Sequence, residues 1–368
     1  MILIDARFIN KKNIRGIGNY SFGFLQAFRG RLPNSEIYIL LSGKPLDNVH
    51  QFCINLRINI ISLFSRNYIV EELIEIPFLI NKYSFKKYIG LGNTLPIIRS
   101  SKVDYFISLH DLMFFNHEEN LNRRSFYSKL VDSYRKHNFK LYVDSINVKI
   151  IAVSEYTKND VKKLGYDNER VVVGYQGLNI DVAVEFKSSE SQDYENYFVC
   201  FGALDSRKNT KKIIQAFLRY RVSRNNSCKL IVLGLDVEQV QKFDLGDDIF
   251  INCGIIATGY ITDEEKNNYL IKAKGLVFAS LYEGFGIPIL EAFNCGCPVI
   301  VSNVTSLPEI AGSAAIYIDP NDILSLVSAF SKLDNIDYRK DLITKGRDRL
   351  SLFQWDKLIF NYISVIYD

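Results

Sequence analysis

Residues 275–303 read GLVFASLYEGFGIPILEAFNCGCPVIVSN, and the stretch divides itself by composition. GLVFASL is a short apolar run of strand character, YEGFG a glycine-rich loop, and PVIVSN a second apolar run. Between them lies a helix opened by Ile287 and Pro288, proline being at home in a first turn. Gly296 ends that helix and Pro298 forbids its continuation. Strand, loop, helix and strand in this order call for parallel strands joined by a helical crossover. Two carboxylates stand inside the unit, Glu283 on the loop and Glu291 in the helix, with seven mostly small or apolar residues between them. A carboxylate buried in an apolar stretch is costly unless something pairs with it, and the expected partner is a ligand.

The same alternation runs the length of the chain. In the first half the strand candidates are MILIDARFI, EIYILLS, INIISLF, DYFISLH, KIIAVS and RVVVGY, with helices over 19–29, 69–82, 123–142 and 155–164. Residues 178–196 are polar, rich in Ser and Glu and without helical period, and read as a linker. The pattern then restarts with YFVCFGAL, CKLIVLGL, FINCGIIATGYI, GLVFASL, PVIVSN and AAIYID. Thr262, with Glu265 three residues on, predicts a capping box at one of the intervening helices. The fold class that follows is α/β: two Rossmann-like, doubly wound parallel-sheet domains in series. Such domains bind ligands at the carboxyl ends of their strands, and two of them facing each other make a cleft.

At 368 residues the chain is too long for one ordinary core. An apolar content of 48% suits a globular protein, and no run approaches the roughly 18 apolar residues that would span a bilayer. The acidic Asp5 does not fit a signal peptide. A net charge of +4, spread along the chain, argues against a dedicated nucleic-acid binder. Of the six cysteines only Cys295 and Cys297 are close, with no second pair or histidine cluster. They read as buried thiols of a reducing cytoplasm rather than a metal or redox centre.

Four loops that follow predicted strands carry chemistry. In RGIGNY, 15–20, Gly16 and Gly18 let backbone approach an anion at a helix beginning near Asn19. A plain tight turn is the alternative. No acidic residue stands about twenty positions later, where binding of a nicotinamide dinucleotide's ribose would want one. SLHDL, 108–112, puts His110 and Asp111 at a strand end, where a doubly wound sheet places its active site. GALDSRKNTKKII, 202–214, sets Arg207 and Lys208 beside a helix N-terminus, the end that cations normally avoid. A polyanion held between them accounts for that placement, arginine supplying a forked donor and lysine a point charge. A solvated basic face accounts better for Lys211 and Lys212. In the fourth loop the N–H groups of Gly284, Phe285, Gly286 and Ile287 suit phosphate or sugar oxygens, while Glu283 and Glu291 suit vicinal hydroxyls.

At these residues the sequence resembles the retaining glycosyltransferases of family 4, which have the two-domain GT-B fold. Their signature is a glutamate, seven residues and a second glutamate, in a pattern close to SLYEGFGIPILEAFNCGCPVIVSNVTSLPEIAG. RGIGNY, NTLPI, SLHDL, IAVSEYTKNDV, FGALDSRKN, ATGYITDEE and FQWDKLIFNYI stand in the family's order, so the resemblance covers nearly the whole chain. It implies an acceptor-binding domain over 1–178, a linker over 179–196 and a nucleotide-sugar-binding domain over 197–350. A last helix within 351–368 would cross back to the N-terminal domain, and the two domains would face an interdomain cleft.

The resemblance also implies roles. Arg207 and Lys208 would grip the donor's diphosphate and neutralise the leaving group. Glu291 would hold the nucleotide ribose, Glu283 with the Phe285 and Gly286 amides the donor sugar, and Gly259, Tyr260 and Ile261 the base. Gly18 would approach the diphosphate, and His110, beside Asp111, would position a hydroxyl or steady positive charge at the anomeric carbon. The activity implied is that of a retaining, metal-independent hexosyltransferase with no cofactor beyond its nucleotide-diphosphate sugar, and the chain contains no Asp-x-Asp. One departure is Ala203, where the family often carries a basic residue.

RGIGNY with HDL and RKN resembles the O-antigen and lipopolysaccharide mannosyltransferases. That implies GDP-mannose as donor, with UDP- and dTDP-sugars as alternatives. The acceptor implied is a glycan or lipid-linked oligosaccharide at the inner face of a bacterial membrane, reached from the cytoplasm. Residues 123–142 mix basic and aromatic side chains, which suits peripheral contact with anionic lipid or an ordinary helix with a solvated face. Two rival readings are a catalytically inactive sugar-nucleotide-binding relative and a nicotinamide-dependent oxidoreductase. The presence of His110, Lys208 and both glutamates weighs against the first, and the missing dinucleotide fingerprint against the second.

Overall fold

The computed structural model describes residues 1–368 except 13, 15, 117–125, 144, 167–168, 180–194, 225–226, 244 and 246–252, and the side chains of 116 and 126–129 are also outside the description. Most of the predicted linker, Arg15 and the start of the predicted helix 123–142 therefore lie outside the described residues. The chain forms two compact units, one of Met1–Asn179 with Phe353–Asp368 and one of Ile180–Leu352.

In the first unit the strands are β1 (Ile2–Asp5), β2 (Ile37–Ser42), β3 (Asn59–Leu63), β4 (Lys87–Gly90), β5 (Asp104–Leu109), β6 (Val148–Ala152) and β7 (Val171–Val173). They form a parallel sheet in the order β3-β2-β1-β4-β5-β6-β7. Every residue of β1 is buried, as expected of a strand covered on both faces. Its side chains alternate, Ile2 and Ile4 joining the core under helix Ile17–Arg31, Leu3 the core on the other face. Strand order reverses between β1 and β4, so their carboxyl ends make a topological switch point.

The last helix, Trp355–Tyr367, belongs to this unit. Trp355, Ile359, Tyr362 and Ile366 recur at helical spacing and enter the core beside Phe24 and Phe28. Gly23 makes room for it: a Cβ there would lie 2.0 Å from Trp355 Nε1 and 1.9 Å from Asn179 Oδ1. At the far end Lys87 Nζ donates to the Ile366 carbonyl (2.6 Å) and Lys149 Nζ to that of Val365 (3.1 Å), cations meeting the free carbonyls of a helix terminus.

Sequence reasoning had no signal for the buried ion cluster at the end of β1. Arg7 donates to Asp5 (2.6 and 2.8 Å), to Glu71 (2.8 Å) and to Glu72, and all four residues are at most 5% exposed. Helix 68–82 carries a π turn at Glu71–Glu75, which brings the consecutive Glu71 and Glu72 toward one face. Burial pushes the Glu72 carboxyl above its ordinary range despite Arg7.

In the second unit β8 (Tyr197–Phe201), β9 (Lys229–Leu233), β10 (Ile255–Ala257), β11 (Gly275–Phe278), β12 (Val299–Ser302) and β13 (Ala315–Ile318) form a parallel sheet in the order β10-β9-β8-β11-β12-β13. The predicted strand FINCGIIATGYI shrinks to β10, its first residues lying outside the description. Here the order reverses between β8 and β11. The capping box at Thr262 and Glu265 forms and opens helix Asp263–Lys272. The six thiols are free, all but Cys253 buried, and burial pushes that of Cys295 up to about 12. Among the described residues no helix is long and apolar enough to cross a membrane.

Candidate active site

Two loops meet at the β8–β11 switch point. After β8, Asp205 caps a single 3-10 turn, Ser206–Lys208, accepting from the Arg207 N–H at 3.0 Å. Asn209 follows in the left-handed region at φ 57° and is buried; its side-chain amide donates to the carbonyls of Ala279 (3.1 Å) and Pro320 (2.8 Å). The Leu281 N–H donates to the Arg207 carbonyl at 2.7 Å, which locks the second loop onto the first. The basic turn is thus a rigid feature of the sheet's carboxyl edge.

The side chains converge there. Lys208 Nζ lies 2.5 Å from Glu283 Oε1 and 5.3 Å from the centre of the Phe278 ring. Arg207 donates to Asp205 Oδ2 (3.0 Å) and to the Tyr282 carbonyl (3.2 Å). Burial opposes the charge on Asp205, yet adjacent Arg207 holds its carboxyl below the ordinary range. Glu283 is positioned by its backbone, its N–H on Thr305 Oγ1 (3.3 Å) and its carbonyl accepting from Ser306 Oγ (3.0 Å), which also donates to the Phe285 carbonyl (2.8 Å).

Gly284, Phe285 and Gly286 are buried in the turn into helix Ile287–Asn294, with Gly286 as its N-cap at φ 114° and Pro288 in the first turn. A Cβ at Gly286 would meet Leu307 at 2.9 Å, so both backbone and space require glycine. Glu283 is therefore not the helix cap. The helix start has no side-chain cap and faces the same loop; Pro288 brings no N–H, and that of Ile289 donates to the Gly286 carbonyl (3.0 Å).

Glu291 departs from the sequence expectation. Its side chain is 16% exposed rather than fully buried, and it already has a partner: Lys266 Nζ, on helix Asp263–Lys272, lies 2.7 Å from Oε1. The carboxylate in the apolar helix is stabilised by the protein itself, so its presence alone does not demand a ligand. Gly259, Tyr260 and Ile261 lie in the loop after β10, just ahead of that helix; Gly259 has φ +67° and Tyr260 is 60% exposed.

In the first unit His110 and Asp111 follow β5, and the His110 N–H donates to Asn93 Oδ1 (2.6 Å). Its Nε2 lies 2.9 Å from the Leu91 carbonyl, which can only accept, so Nε2 carries a proton and Nδ1 is the free position. Burial pushes the imidazole pKa down to about 4, and Tyr20 packs edge-on at 4.6 Å. The ring is neutral near pH 7, which favours positioning a hydroxyl over steadying a positive charge. Asp111 Oδ1 accepts from the Met113 N–H.

Gly16 caps helix Ile17–Arg31 at φ 45° and is exposed, with open space where a Cβ would be. Gly18 is different. A Cβ there would lie 2.6 Å from Ile14 and 2.9 Å from the Phe8 carbonyl, so the chain's own loop explains this glycine without an anion. Sequence reasoning missed Asp205, Asn209, Lys266, Thr305 and Ser306. Asp205 carried a legible cap signal two residues ahead of Arg207; the others act across elements.

Residues 181–349 match the family model described as glycosyl transferases group 1. O-antigen chain mannosyltransferase B of Escherichia coli is 29% identical over 218 residues, 56% of this chain and 57% of that protein. The chain thus spans little more than half the length of that relative. O-antigen chain mannosyltransferase RfbU of Salmonella typhimurium is 25% identical over 281 residues, 75% of this chain and 72% of that protein. Among solved structures, WaaG, a glycosyltransferase involved in lipopolysaccharide biosynthesis, superposes with a TM-score of 0.72 over 100% of both chains at 14% identity. HepE of Anabaena, crystallised with UDP and glucose, superposes with a TM-score of 0.69 over 99% of this chain and 98% of its own at 13% identity. The second unit thus resembles the glycosyl transferases group 1 family over residues 181–349, and the two parallel-sheet α/β domains have the GT-B fold.

Proposed function

We propose that this protein is a retaining glycosyltransferase that moves a hexose, mannose from GDP-mannose, to a hydroxyl of a lipid-linked or surface-polysaccharide acceptor of the O-antigen type. The observation that carries this reading is the convergence of Arg207, Lys208 and Glu283 on the β8–β11 switch point, beside the bare start of helix Ile287–Asn294. Two cations beside a helix N-terminus that has no side-chain cap suit a diphosphate. The names of the mannosyltransferase relatives support the sugar and the acceptor class.

In this reading the donor's diphosphate draws Arg207 and Lys208 from their carboxylate partners, and Glu283 turns to the sugar's hydroxyls. Glu291 takes the ribose and the Gly259–Ile261 loop the base. The bond from the anomeric carbon to the phosphate oxygen breaks first, through an oxocarbenium-like ion pair. The acceptor oxygen then bonds to the same face, and its proton passes to the leaving phosphate. Arg207 and Lys208 stabilise the charge that grows on that phosphate. They do so without a metal, and no other cofactor is assigned a role. Neutral His110, with Nδ1 free to accept, positions a sugar hydroxyl. The reaction is placed on the cytoplasmic side, with peripheral contact at the membrane's inner face.

The test is a thermal-shift screen of GDP-mannose, UDP-sugars, dTDP-sugars and NAD, followed by transfer and hydrolysis assays with the product's anomeric configuration read by NMR. Stabilisation by GDP-mannose and an α-linked product from the α-donor are expected. Stabilisation by NAD and by no nucleotide-sugar would overturn the reading. Binding without turnover on suitable acceptors would make the chain a sugar-nucleotide-binding relative.

A further inference from the structure

Lys266 has no role in the reading above, yet it is the residue that holds Glu291. Its ammonium lies 2.7 Å from Glu291 Oε1 and 2.7 Å from Asp263 Oδ1, with the Lys266 and Glu291 side chains 14% and 16% exposed. Burial opposes the charge on Lys266, but Glu291 and Asp263 outweigh it and raise its pKa. A carboxylate has two acceptor oxygens, and among the described residues only Oε1 of Glu291 has a hydrogen-bond partner. Helix Asp263–Lys272 also starts directly after Gly259–Ile261, so one short segment carries both the loop proposed for the base and the grip on Glu291. A second tie between the two helices, Cys295 Sγ to Asn267 Oδ1 at 3.8 Å, is weak.

We propose that Lys266 is a positioning residue for nucleotide recognition. It holds Glu291 in one rotamer, with Oε1 occupied, so that Oε2 is presented to the donor's ribose hydroxyls. The inference rests on the reading of Glu291 as the ribose ligand, and adds a residue that the pattern of the two glutamates does not contain.

The experiment measures calorimetric affinity of the full chain for GDP and for its 2′,3′-dideoxy analogue, in wild type, Lys266→Met, Lys266→Arg and Glu291→Gln. Hydrogen bonds to a charged group predict that wild type prefers GDP by roughly tenfold or more. Lys266→Met should lose that preference, as Glu291→Gln does, while its affinity for the dideoxy analogue stays at the wild-type value. Lys266→Arg should restore part of it. If Lys266→Met does not fold, Lys266→Gln, which keeps a donor but not the charge, is read in the same way. Retention of the preference in Lys266→Met, with its loss in Glu291→Gln, would overturn the role of Lys266 and leave the ribose assignment standing. Equal weakening of both nucleotides would reduce Lys266 to a tie between helices. No preference in wild type, with UDP and dideoxy-UDP giving the same result, would remove the ribose assignment and this inference with it.

Discussion

Lys208 and Glu283, 75 positions apart in the sequence, meet at 2.5 Å with their side chains 25% and 13% exposed. A cation placed beside a helix N-terminus is thereby paired within the protein. On the proposed function a diphosphate would compete for the ammonium and free the glutamate for neutral hydroxyls.

Replacing Lys208 by alanine should lower kcat by about 100-fold, the usual cost of a charge-stabilising donor, while the GDP dissociation constant changes far less. Steady-state kinetics set against calorimetry separate the two. Equal losses in both would assign Lys208 to ground-state binding.

His110, with its folded pKa pushed down to about 4, binds fewer protons in the native than in the unfolded state between that value and the ordinary one near 6.5. Its contribution to stability is therefore complete above about pH 6.5 and shrinks as pH falls, by up to about 2 kcal/mol at pH 5. Urea midpoints at pH 7.5 and 5 should move apart in wild type and less so in His110→Gln. Similar shifts in both proteins would contradict a neutral buried imidazole.

Gly23→Ala forces a methyl to within 2.0 Å of Trp355 Nε1. The last helix must shift, at a cost of about 1–3 kcal/mol by analogy with overpacked cores. The chain has a single tryptophan, so its fluorescence reports the site directly. A red-shifted emission and a lower Tm are expected; an unchanged spectrum would show that the helix accommodates the methyl.

Arg7→Met removes the one cation that, among the described residues, forms an ion pair with Asp5, Glu71 or Glu72. Leaving buried carboxylates unpaired costs about 3–5 kcal/mol. With Glu72 already raised by burial, the native state of the variant takes up protons on acidification, so its deficit relative to wild type should narrow between pH 7.5 and 5.5. A deficit that widens would show that the carboxylates are hydrated rather than buried.

Much of the architecture was legible because its signals are local. Apolar runs marked the strands, Pro288 and Gly296 bounded one helix, and Thr262 with Glu265 opened another. The loop positions of Arg207, Lys208 and Glu283 followed from where strands end. Gly18 and Glu291 each have a protein neighbour that the sequence did not show. A glycine or a carboxylate in the sequence shows that something is needed nearby, not what supplies it. Beside Gly18 stand Phe8 and Ile14, and Oε1 of Glu291 is paired with Lys266.

The amino-acid order by itself determined two α/β sheets and the carboxyl-edge loops that hold Arg207, Lys208 and Glu283, since backbone preference and burial period act over a few residues. Only the tertiary structure decided the pairings: Lys208 with Glu283, Lys266 with Glu291, Arg7 with three acids. Those depend on β8 lying beside β11 and on one helix facing another. Such adjacency is set by packing of the whole sheet and leaves no mark on the residues it joins.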